Sequence, residues 1–428
     1  MKVRLAYGRE GLEVAVPEGA TVLIPERVPP LADPQAAVRE ALRRPIGTRP
    51  LRELVRPDDS VAIVFSDITR PTPNHILLPV LLEELAAAGV GREDVTLING
   101  TGMHRPNTPQ ELSAMLGRQV LDSYRILQHD ATDRSQLRLV GRSARGVEAW
   151  INSHYLGATV RILTGFLEPH IFAGWSGGGK AVLPAVAGAD AITANHSGPM
   201  LAHPNATWCV SEGNPIFQEM REVALASEPT FLLNVTLDQE KRITGVFAGD
   251  LAQAHDAGIQ FARRVYIRPV PHRFDIAVAS NLGYPADINL YQSVKGMSVA
   301  ARAVRPGGAV VLAAECADGL GRHHFRDLLA AADSPQELLA MIVDPSFHAY
   351  DQWGVQCLAS VQVRADCYIH SSLGPEEVRR AHLKPAADVS ETVAALSQAY
   401  RGNNGGRGPK VLVLPYGQLT VPQLAGEG

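Results

Sequence analysis

The sequence has few of the features of a secreted, membrane-embedded or nucleic-acid-binding protein. It contains four cysteines in 428 residues, and none of them forms a C-x-x-C pair. Scattered thiols argue against a disulfide framework and suit a reducing compartment, so we expect a cytoplasmic protein. The net charge of −4 and the lack of a basic run argue against nucleic-acid or anionic-membrane partners. No apolar run reaches the length of a signal-peptide core or a membrane span.

The composition and the pattern of apolar runs predict an α/β protein. Hydrophobic residues make up 46% of the chain and charged residues 20%, which is enough for sizeable cores. Buried-strand runs at Val61–Ser66, residues 94–99 and Val160–Phe166 alternate with helical patterns such as residues 74–88. This alternation predicts parallel or mixed sheets flanked by helices.

The length of the chain and a proline-containing break at residues 266–274 indicate two domains. After the break the pattern restarts with a strand at 275–280, a helix at 289–304 and a strand at 309–314. We predict a first, catalytic domain over 1–270, a second, Rossmann-like domain over 272–402, and an active site in the cleft between them. The glycine-rich residues 401–409 are interpreted as a linker, after which 409–428 is expected to rejoin the first domain.

Polar motifs directly follow three of the predicted strands. The sequence DITR, from Asp67 to Arg70, follows the first, His104 in GTGMHRP follows the second, and His170 follows the third. Ligands bind beyond the carboxyl ends of parallel strands, so the three motifs are expected to converge there. Two imidazoles at such a site can remove and return a proton on opposite faces of a substrate. Surface histidines and a helix-capping Asp67 are the alternatives.

The stretch EPHIFAGWSGGGK, residues 168–180, carries the strongest signal. Gly174, Gly179 and Lys180 match the G-x-x-x-x-G-K core of a nucleotide-binding P-loop. However, Ala181 stands where that motif needs Ser or Thr, and Pro184 interrupts the helix that should follow. Nucleotide hydrolysis is therefore poorly supported. The loop can still bind an anion, and Lys180 can act as a counter-ion or as a nucleophilic amine.

A third histidine and a helix of the second domain complete the set of candidate residues. His196 is expected near the start of the helix after the glycine loop, where a neutral imidazole can bind a late first-row metal. No Cys or carboxylate cluster accompanies it, so most metal ligands would have to come from outside the protein. A buried or capping histidine is the alternative. Tyr291, Gln292 and Lys295 begin a helix that favours an anion or, alternatively, present a solvated face.

Together these motifs resemble the lactate racemase family, the nickel-pincer-dependent 2-hydroxyacid racemases and epimerases. The motifs are D-x-T-R-P at 67–71, GTGMHRP around His104, E-P-H-x-x-A-G-x-S-G-G-x-K at 168–180, N-H ending at His196, and Y-Q-S-V-K at 291–295. They occur in the expected order and span essentially the whole chain. The glycine–lysine motif with its later histidine is highly specific, whereas the shorter motifs are not specific alone.

The resemblance implies a covalent cofactor, a pyridinium-3-thioamide-5-thiocarboxylic acid mononucleotide joined to Lys180 through a thioamide. Its two sulfurs and one carbon would bind Ni(II), with His196 as the fourth ligand of a square plane. Backbone amides of residues 176–179 would hold the phosphate. The other cofactor-binding residues that the resemblance implies are Asp67, Ile68, Thr69, Arg70, Ser176, Gly177, Gly178, Gln292 and Lys295.

The resemblance also implies a reaction and its partners. C2 of a small 2-hydroxycarboxylic acid would be inverted through a 2-oxoacid by hydride transfer to the cofactor. His104 and His170 would exchange the hydroxyl proton, while Arg70, Tyr291 and Lys295 bind the substrate. Cofactor-biosynthesis enzymes would be partners during maturation, and a homo-oligomer is compatible with the sequence.

Three other interpretations remain open at the level of sequence. The first is a phosphate- or nucleotide-binding protein without redox chemistry. The second is a zinc-dependent hydrolase that uses His104, His170 and His196. The third is a family member that builds or carries the cofactor rather than racemising a substrate.

Overall fold

The computed structural model describes residues 1–426. Most of the strands form two six-stranded sheets, and the helices cover both. The strands are, in chain order, β1 (Lys2–Leu5), β2 (Leu12–Ala15), β3 (Thr21–Val22), β4 (Val61–Ser66), β5 (Val95–Gly100), β6 (Arg125–Gln128), β7 (Leu137–Arg142), β8 (Glu148–Asn152), β9 (Val160–Phe166), β10 (Pro169–His170), β11 (Gly174–Trp175), β12 (Phe231–Leu237), β13 (Ile243–Gly249), β14 (Ile267–Val270), β15 (Phe274–Ser280), β16 (Val304–Ala313), β17 (Ala365–His370), β18 (Lys384–Pro385), β19 (Val411–Leu414) and β20 (Val421–Leu424).

The helices connect these strands and cover the sheets. They are, in chain order, α1 (Pro34–Arg43), α2 (Leu51–Leu54), α3 (Asn74–Ala87), α4 (Pro109–Leu116), α5 (Arg118–Ser123), α6 (Ser153–Gly157), α7 (Ala189–Asn195), α8 (Gly198–Leu201), α9 (Pro215–Ala226), α10 (Leu251–Tyr266), α11 (Leu290–Ala301), α12 (His323–Leu329), α13 (Pro335–Val343), α14 (Gln352–Gln362), α15 (Pro375–Arg380) and α16 (Val389–Asn403).

The first sheet has the strand order β13-β12-β9-β4-β5-β6 and is parallel except for β13, which runs antiparallel to β12. Its central strands β4, β9 and β12 are almost wholly buried because helices cover both faces, which is why they are continuous apolar runs. The strands β4, β5 and β9 end at one edge of the sheet. The three polar motifs follow them there.

The second sheet has the order β18-β17-β16-β15-β19-β3 and is parallel throughout. The β1–β2 hairpin packs on it, with Leu5, Val14 and Val16 in one buried cluster with Val278 and Val311. The predicted fold class, two α/β domains with parallel or mixed sheets, is confirmed. None of the helices within residues 1–426 combines the length and the apolarity that crossing a bilayer requires.

The predicted domain limits are wrong at both ends of the chain. The strand β19 does not return to the first sheet, because it pairs with β15 and β3 in the second. The strand β20 pairs with β14 at the junction of the domains. The first 22 residues likewise belong to the second domain rather than to a first domain over 1–270. The glycine-rich segment after α16 therefore connects two elements of one domain.

Several direct contacts fix the two domains against each other. Trp208 Nε1 donates to Ser298 Oγ at 3.1 Å, and Gln356 Nε2 donates to the carbonyl of Gly198 at 2.8 Å. Gly198, at the start of α8, also lies against the backbone of Ile342 in α13. A Cβ atom at Gly198 would lie 1.9 Å from the Ile342 carbonyl oxygen. Glycine is therefore required there by packing between domains.

We expect Gly198→Ala to destabilise the protein by about 1–3 kcal/mol, because the methyl group must push two backbones apart. Thermal unfolding of the purified protein measures the effect. Gly157→Ala is the matched control, since an added Cβ at Gly157 meets no atom within 4 Å. Equal melting temperatures for the two variants would show that this contact does not hold the domains together.

Candidate functional site

The three strand-end motifs and the start of α11 enclose one cavity between the domains. Its volume is about 190 Å³, and a wider cleft of about 1200 Å³ adjoins it. The predicted residues that line the cavity are Asp67, Thr69, Arg70, His104, His170, Ser176, Gly177, Lys180, His196, Tyr291, Gln292 and Lys295. Ile68 lines only the wider cleft, and Gly178 is not among the lining residues of either space.

His104 forms an acid–imidazole pair with Asp67 across the ends of β4 and β5. The Nδ1 atom of His104 lies 2.7 Å from Asp67 Oδ2, and the Thr69 hydroxyl donates to Asp67 Oδ1 at 2.7 Å. Burial raises the pKa of Asp67, but the bonds from His104 and Thr69 and the charge of Arg70 outweigh it, so the pKa is lowered overall. The ionised carboxylate orients the His104 ring.

His170 has a different environment. Its Nδ1 atom accepts the backbone N–H of Ala173 at 3.2 Å, which leaves the proton of the neutral ring on Nε2. Burial lowers the pKa of His170 well below its usual value, and the charges of Lys180 and Arg70 lower it further. His170 is therefore a neutral imidazole, and the two predicted proton-transfer residues are chemically inequivalent.

The glycine loop is pressed against two polar side chains of the first domain. Gly177 and Gly178 have φ values of 75° and 52°. A Cβ atom would lie 2.5 Å from Asn234 Oδ1 at Gly177 and 2.1 Å from His255 Nδ1 at Gly178. Only glycine combines these backbone angles with such close approach. The loop continues into a single 3-10 turn that directs Lys180 into the cavity.

The prediction that the loop amides bind a phosphate is wrong for two of the four. The amide of Ser176 donates to the Glu168 carbonyl at 2.9 Å, and the amide of Gly178 donates to Asn234 Oδ1 at 2.8 Å. The Ser176 hydroxyl donates to the Phe166 carbonyl at 2.8 Å. These groups brace the loop and are not available to a ligand.

Lys180 lies among other cations in a low-dielectric environment. Burial lowers the pKa of Lys180 to about 7, and the charges of Arg70 and Lys295 contribute, while Glu168 opposes them. Burial likewise lowers the pKa of Lys295 to about 8. Burial raises the pKa of Glu168, although the surrounding cations oppose this shift. In a large fraction of the molecules the Lys180 side chain is therefore a neutral, nucleophilic amine near pH 7.

His196 follows the last residue of α7, so the prediction that it begins that helix is wrong. Its ring meets Phe172 and Trp353 edge-on, with centroids 5.0 and 5.5 Å away. Its Nδ1 atom is buried and makes no hydrogen bond among the described residues. Burial lowers the pKa of His196 to about 3, with a contribution from Lys180. The neutral ring is suited to metal coordination.

The start of α11 forms the wall contributed by the second domain. Lys295 Nζ donates to Gln292 Oε1 at 2.9 Å, and the Asn289 side chain caps the helix by accepting the amide of Gln292. The Tyr291 hydroxyl accepts a bond from Trp353 Nε1 at 2.7 Å. The predicted trio thus faces the three strand-end motifs across the cavity.

Four residues that support the site were not assigned a role from the sequence. Asn234 is the one amide residue in the buried run of β12, and this is a signal that could have identified it. His255 donates its Nε2–H to the Ser176 carbonyl at 2.9 Å. Glu168 occurs in a quoted motif, whereas nothing in the local sequence marks Trp353.

The imidazoles of the cavity do not form a zinc site. Within residues 1–426 no group of three or more His, Cys, Asp or Glu side chains is arranged to hold a metal ion. A hydrolytic zinc normally has three protein ligands. The arrangement therefore disfavours the zinc-hydrolase interpretation.

The chain matches two family models, the lactate racemase N-terminal domain over residues 7–209 and the lactate racemase C-terminal domain over 270–421. It is 36% identical over 386 residues to a lactate racemase of Lactiplantibacillus plantarum, covering 90% of this chain and 89% of the relative. It is 34% identical to one of Thermoanaerobacterium thermosaccharolyticum, with the same coverage.

Two solved structures have the same fold. The lactate racemase apoprotein of T. thermosaccharolyticum superposes with a TM-score of 0.91 at 31% identity, covering 99% of this chain and 100% of that one. A protein of Thermotoga maritima superposes with a TM-score of 0.68 at 14% identity, covering 91% and 98%. The second similarity concerns the fold alone.

We expect Lys180 of the apoprotein to be acylated at lower pH than ordinary lysines, with a midpoint near pH 7. The reason is that its lowered pKa leaves the free amine present where ordinary lysines are protonated. Brief labelling with a small amine-reactive reagent across pH 5–11, followed by peptide mass spectrometry, measures this. Lys384 is the internal control, because its hydrogen bond to Asp366 raises its pKa. Identical midpoints would contradict the electrostatic environment described above.

Proposed function

Because this chain belongs to the lactate racemase family, we propose that it inverts C2 of a 2-hydroxycarboxylic acid with a nickel-pincer nucleotide bound covalently at Lys180. The predicted family and enzyme class, an isomerase of the lactate racemase type, are confirmed. The observation that carries the proposal is one cavity holding a neutral lysine amine, an imidazole with an unpaired nitrogen and two further imidazoles.

The residues of the cavity fit the proposed cofactor. A lysine with a pKa near 7 is the amine expected to form an amide-type bond. The buried, unpaired Nδ1 atom marks His196 as an imidazole without a structural hydrogen bond, as expected of a metal donor. When bound, the nickel–carbon centre would supply a hydride acceptor and donor. Arg70 and Thr69, rather than the amides of Ser176 and Gly178, would then contact the phosphate or ribose.

The two histidines would handle the proton of the C2 hydroxyl. His104, whose Nδ1 bonds to Asp67, can accept this proton through Nε2, and neutral His170 can present its Nε2–H to the substrate oxygen on the other face. The two imidazoles thus supply a proton acceptor and an N–H donor in one cavity. Removal of a C2 proton is not required of either residue.

Cations at the cavity wall would orient the substrate. Arg70 and Lys295 can bind the C1 carboxylate, and the Trp353–Tyr291 bond fixes the phenol beside them. Gln292 holds the Lys295 amine in place. A carboxylate that stays bound while C2 becomes planar allows the intermediate to turn without leaving the site.

Maturation and location form part of the same proposal. A covalent nucleotide requires enzymes that make it, so cofactor-biosynthesis enzymes are proposed partners. All four cysteines are free thiols, which suits a reducing compartment such as the cytoplasm. A phosphate-binding protein without redox chemistry is the alternative, and the two occupied loop amides weigh against it.

Co-expression with cofactor-biosynthesis enzymes should add a nucleotide-sized mass to the peptide that contains Lys180, with about one nickel per chain. The His196→Ala variant should keep the mass and lose most of the nickel, because the bond to Lys180 and the metal ligand are separate. His154→Ala, on the surface of α6, is the control. Intact-mass spectrometry and metal analysis give the result. An unmodified Lys180, in a preparation where a lactate racemase control is loaded, would overturn the proposal.

Replacement of His104 or His170 by Asn should lower kcat for 2-hydroxyacid racemisation by about 100-fold or more, because each loses a proton-transfer group. Asp67→Asn should lower it less, since the His104 ring remains but loses its orienting charge. Polarimetric or chiral-chromatography assays measure the rates, and nickel content checks that the cofactor is retained. Full activity of His104→Asn with nickel bound would exclude its role in proton transfer.

A further inference from the structure

An ion pair whose hydrogen-bonding capacity is not filled lies where the reaction cavity meets the wider cleft. Arg322 precedes α12, and Asp351 precedes α14, and both belong to the second domain. Their closest atoms, Arg322 Nη1 and Asp351 Oδ1, are 3.6 Å apart, which is too long for a direct hydrogen bond. Within residues 1–426 the Arg322 guanidinium makes no hydrogen bond, and its side chain is 38% exposed.

The burial of Asp351 is energetically unfavourable if its role is purely structural. Its side chain is 2% exposed, its Oδ2 atom has no hydrogen-bond partner among the described residues, and its φ is 61°. A buried carboxylate oxygen without a donor costs free energy that a structural ion pair would normally avoid. Arg322, Tyr291 and Trp353 line the same inner cavity as the two catalytic imidazoles, so the pair borders on the space for a substrate.

Arg322 offers N–H donors and Asp351 offers carboxyl oxygens at one place, and this determines which ligand group the pair suits. A second carboxylate on the substrate could accept from Arg322 but would bring no donor for the oxygens of Asp351. A hydroxyl group can accept from the guanidinium and donate to the carboxylate, so it uses both members. Polar groups continue along the wider cleft from this point, with His323, His324 and Tyr350 among its lining residues.

We propose that Arg322 and Asp351 form a subsite for a hydroxyl group beyond C2, so that the substrate is a polyhydroxy 2-hydroxyacid. This inference rests on the proposed function and names the substrate class of that site. Arg322 acts here on specificity and takes no part in proton transfer. The discriminating contact is at C3, because Arg70 and Lys295 are assigned to the C1 carboxylate.

Three acids that differ only at C3 test the proposal. Lactate has a methyl group there, glycerate has an added hydroxyl and malate has an added carboxylate. With nickel-loaded protein we expect kcat/KM for glycerate to exceed that for lactate and malate by about tenfold or more, since a site built for a hydroxyl discriminates against its absence. Higher kcat/KM for malate than for glycerate would overturn the proposal in favour of a second carboxylate.

Variants separate recognition from a structural role. Arg322→Met should reduce the glycerate-to-lactate preference to about one, and Arg322→Lys should restore part of it. Arg326→Met, on the exposed side of α12, is the matched control and should leave the preference unchanged. A fall in melting temperature with equal losses on both acids would show that the pair only fastens α12 to α14, and would overturn the proposal.

A binding measurement distinguishes this inference from the proposed function. Calorimetry compares propanoate with 3-hydroxypropanoate, which lack the C2 hydroxyl and cannot react. Affinity for 3-hydroxypropanoate should be about tenfold higher in the loaded protein, and the Arg322→Met variant should lose that difference. If no 2-hydroxyacid is racemised while the binding preference persists, the proposed function fails and the subsite stands. Racemisation of lactate and glycerate with equal kcat/KM, and equal binding of the two probes, overturns the subsite alone.

Discussion

The packing of the glycine loop onto Asn234 and His255 is the constraint on which the rest of the site depends. Neither Gly177 nor Gly178 has room for a side chain, so the loop backbone lies directly on β12 and α10. Asn234 accepts the Gly178 amide, and His255 bonds to the Ser176 carbonyl, which fixes the loop at two successive positions. The orientation of Lys180 follows from that anchoring rather than from contacts of its own.

Burial of several cations in one small cavity then decides their protonation states. Burial lowers the pKa of both Lys180 and Lys295, and the charge of Arg70 lowers both further. The same field acts on His170, whose only bond to Nδ1 comes from a backbone amide. His104 instead bonds through Nδ1 to Asp67 Oδ2, 2.7 Å away. The two histidines are thus distinguished by their hydrogen-bond partners.

The sequence was a good guide to the site because the relevant rule is local. Motifs that directly follow parallel strands lie at one edge of a sheet, and this alone predicts that the Asp67–Arg70 motif, His104 and His170 meet. The partners of these residues could not be predicted, since Asn234 and Trp353 come from distant parts of the chain. The hydrogen bonds of the Ser176 and Gly178 amides could not be predicted for the same reason. Their acceptors, the Glu168 carbonyl and the Asn234 side-chain oxygen, come into place only when the protein folds.

The position of β19 shows the limit of such local reasoning, and it also bears on how the cleft works. The four buried apolar residues of β19 do not by themselves show which sheet the strand joins. Its pairing with β15 and β3 decides this. The chain therefore starts in the second domain, crosses to the first and returns. The two crossings lie side by side, since the Glu26 amide donates to the Val265 carbonyl at 2.8 Å.

Contacts around Gly198 hold the domains together at a second place, and any separation of the domains must break them. The wide cleft already adjoins the inner cavity, so a small acid can approach the imidazoles without that separation.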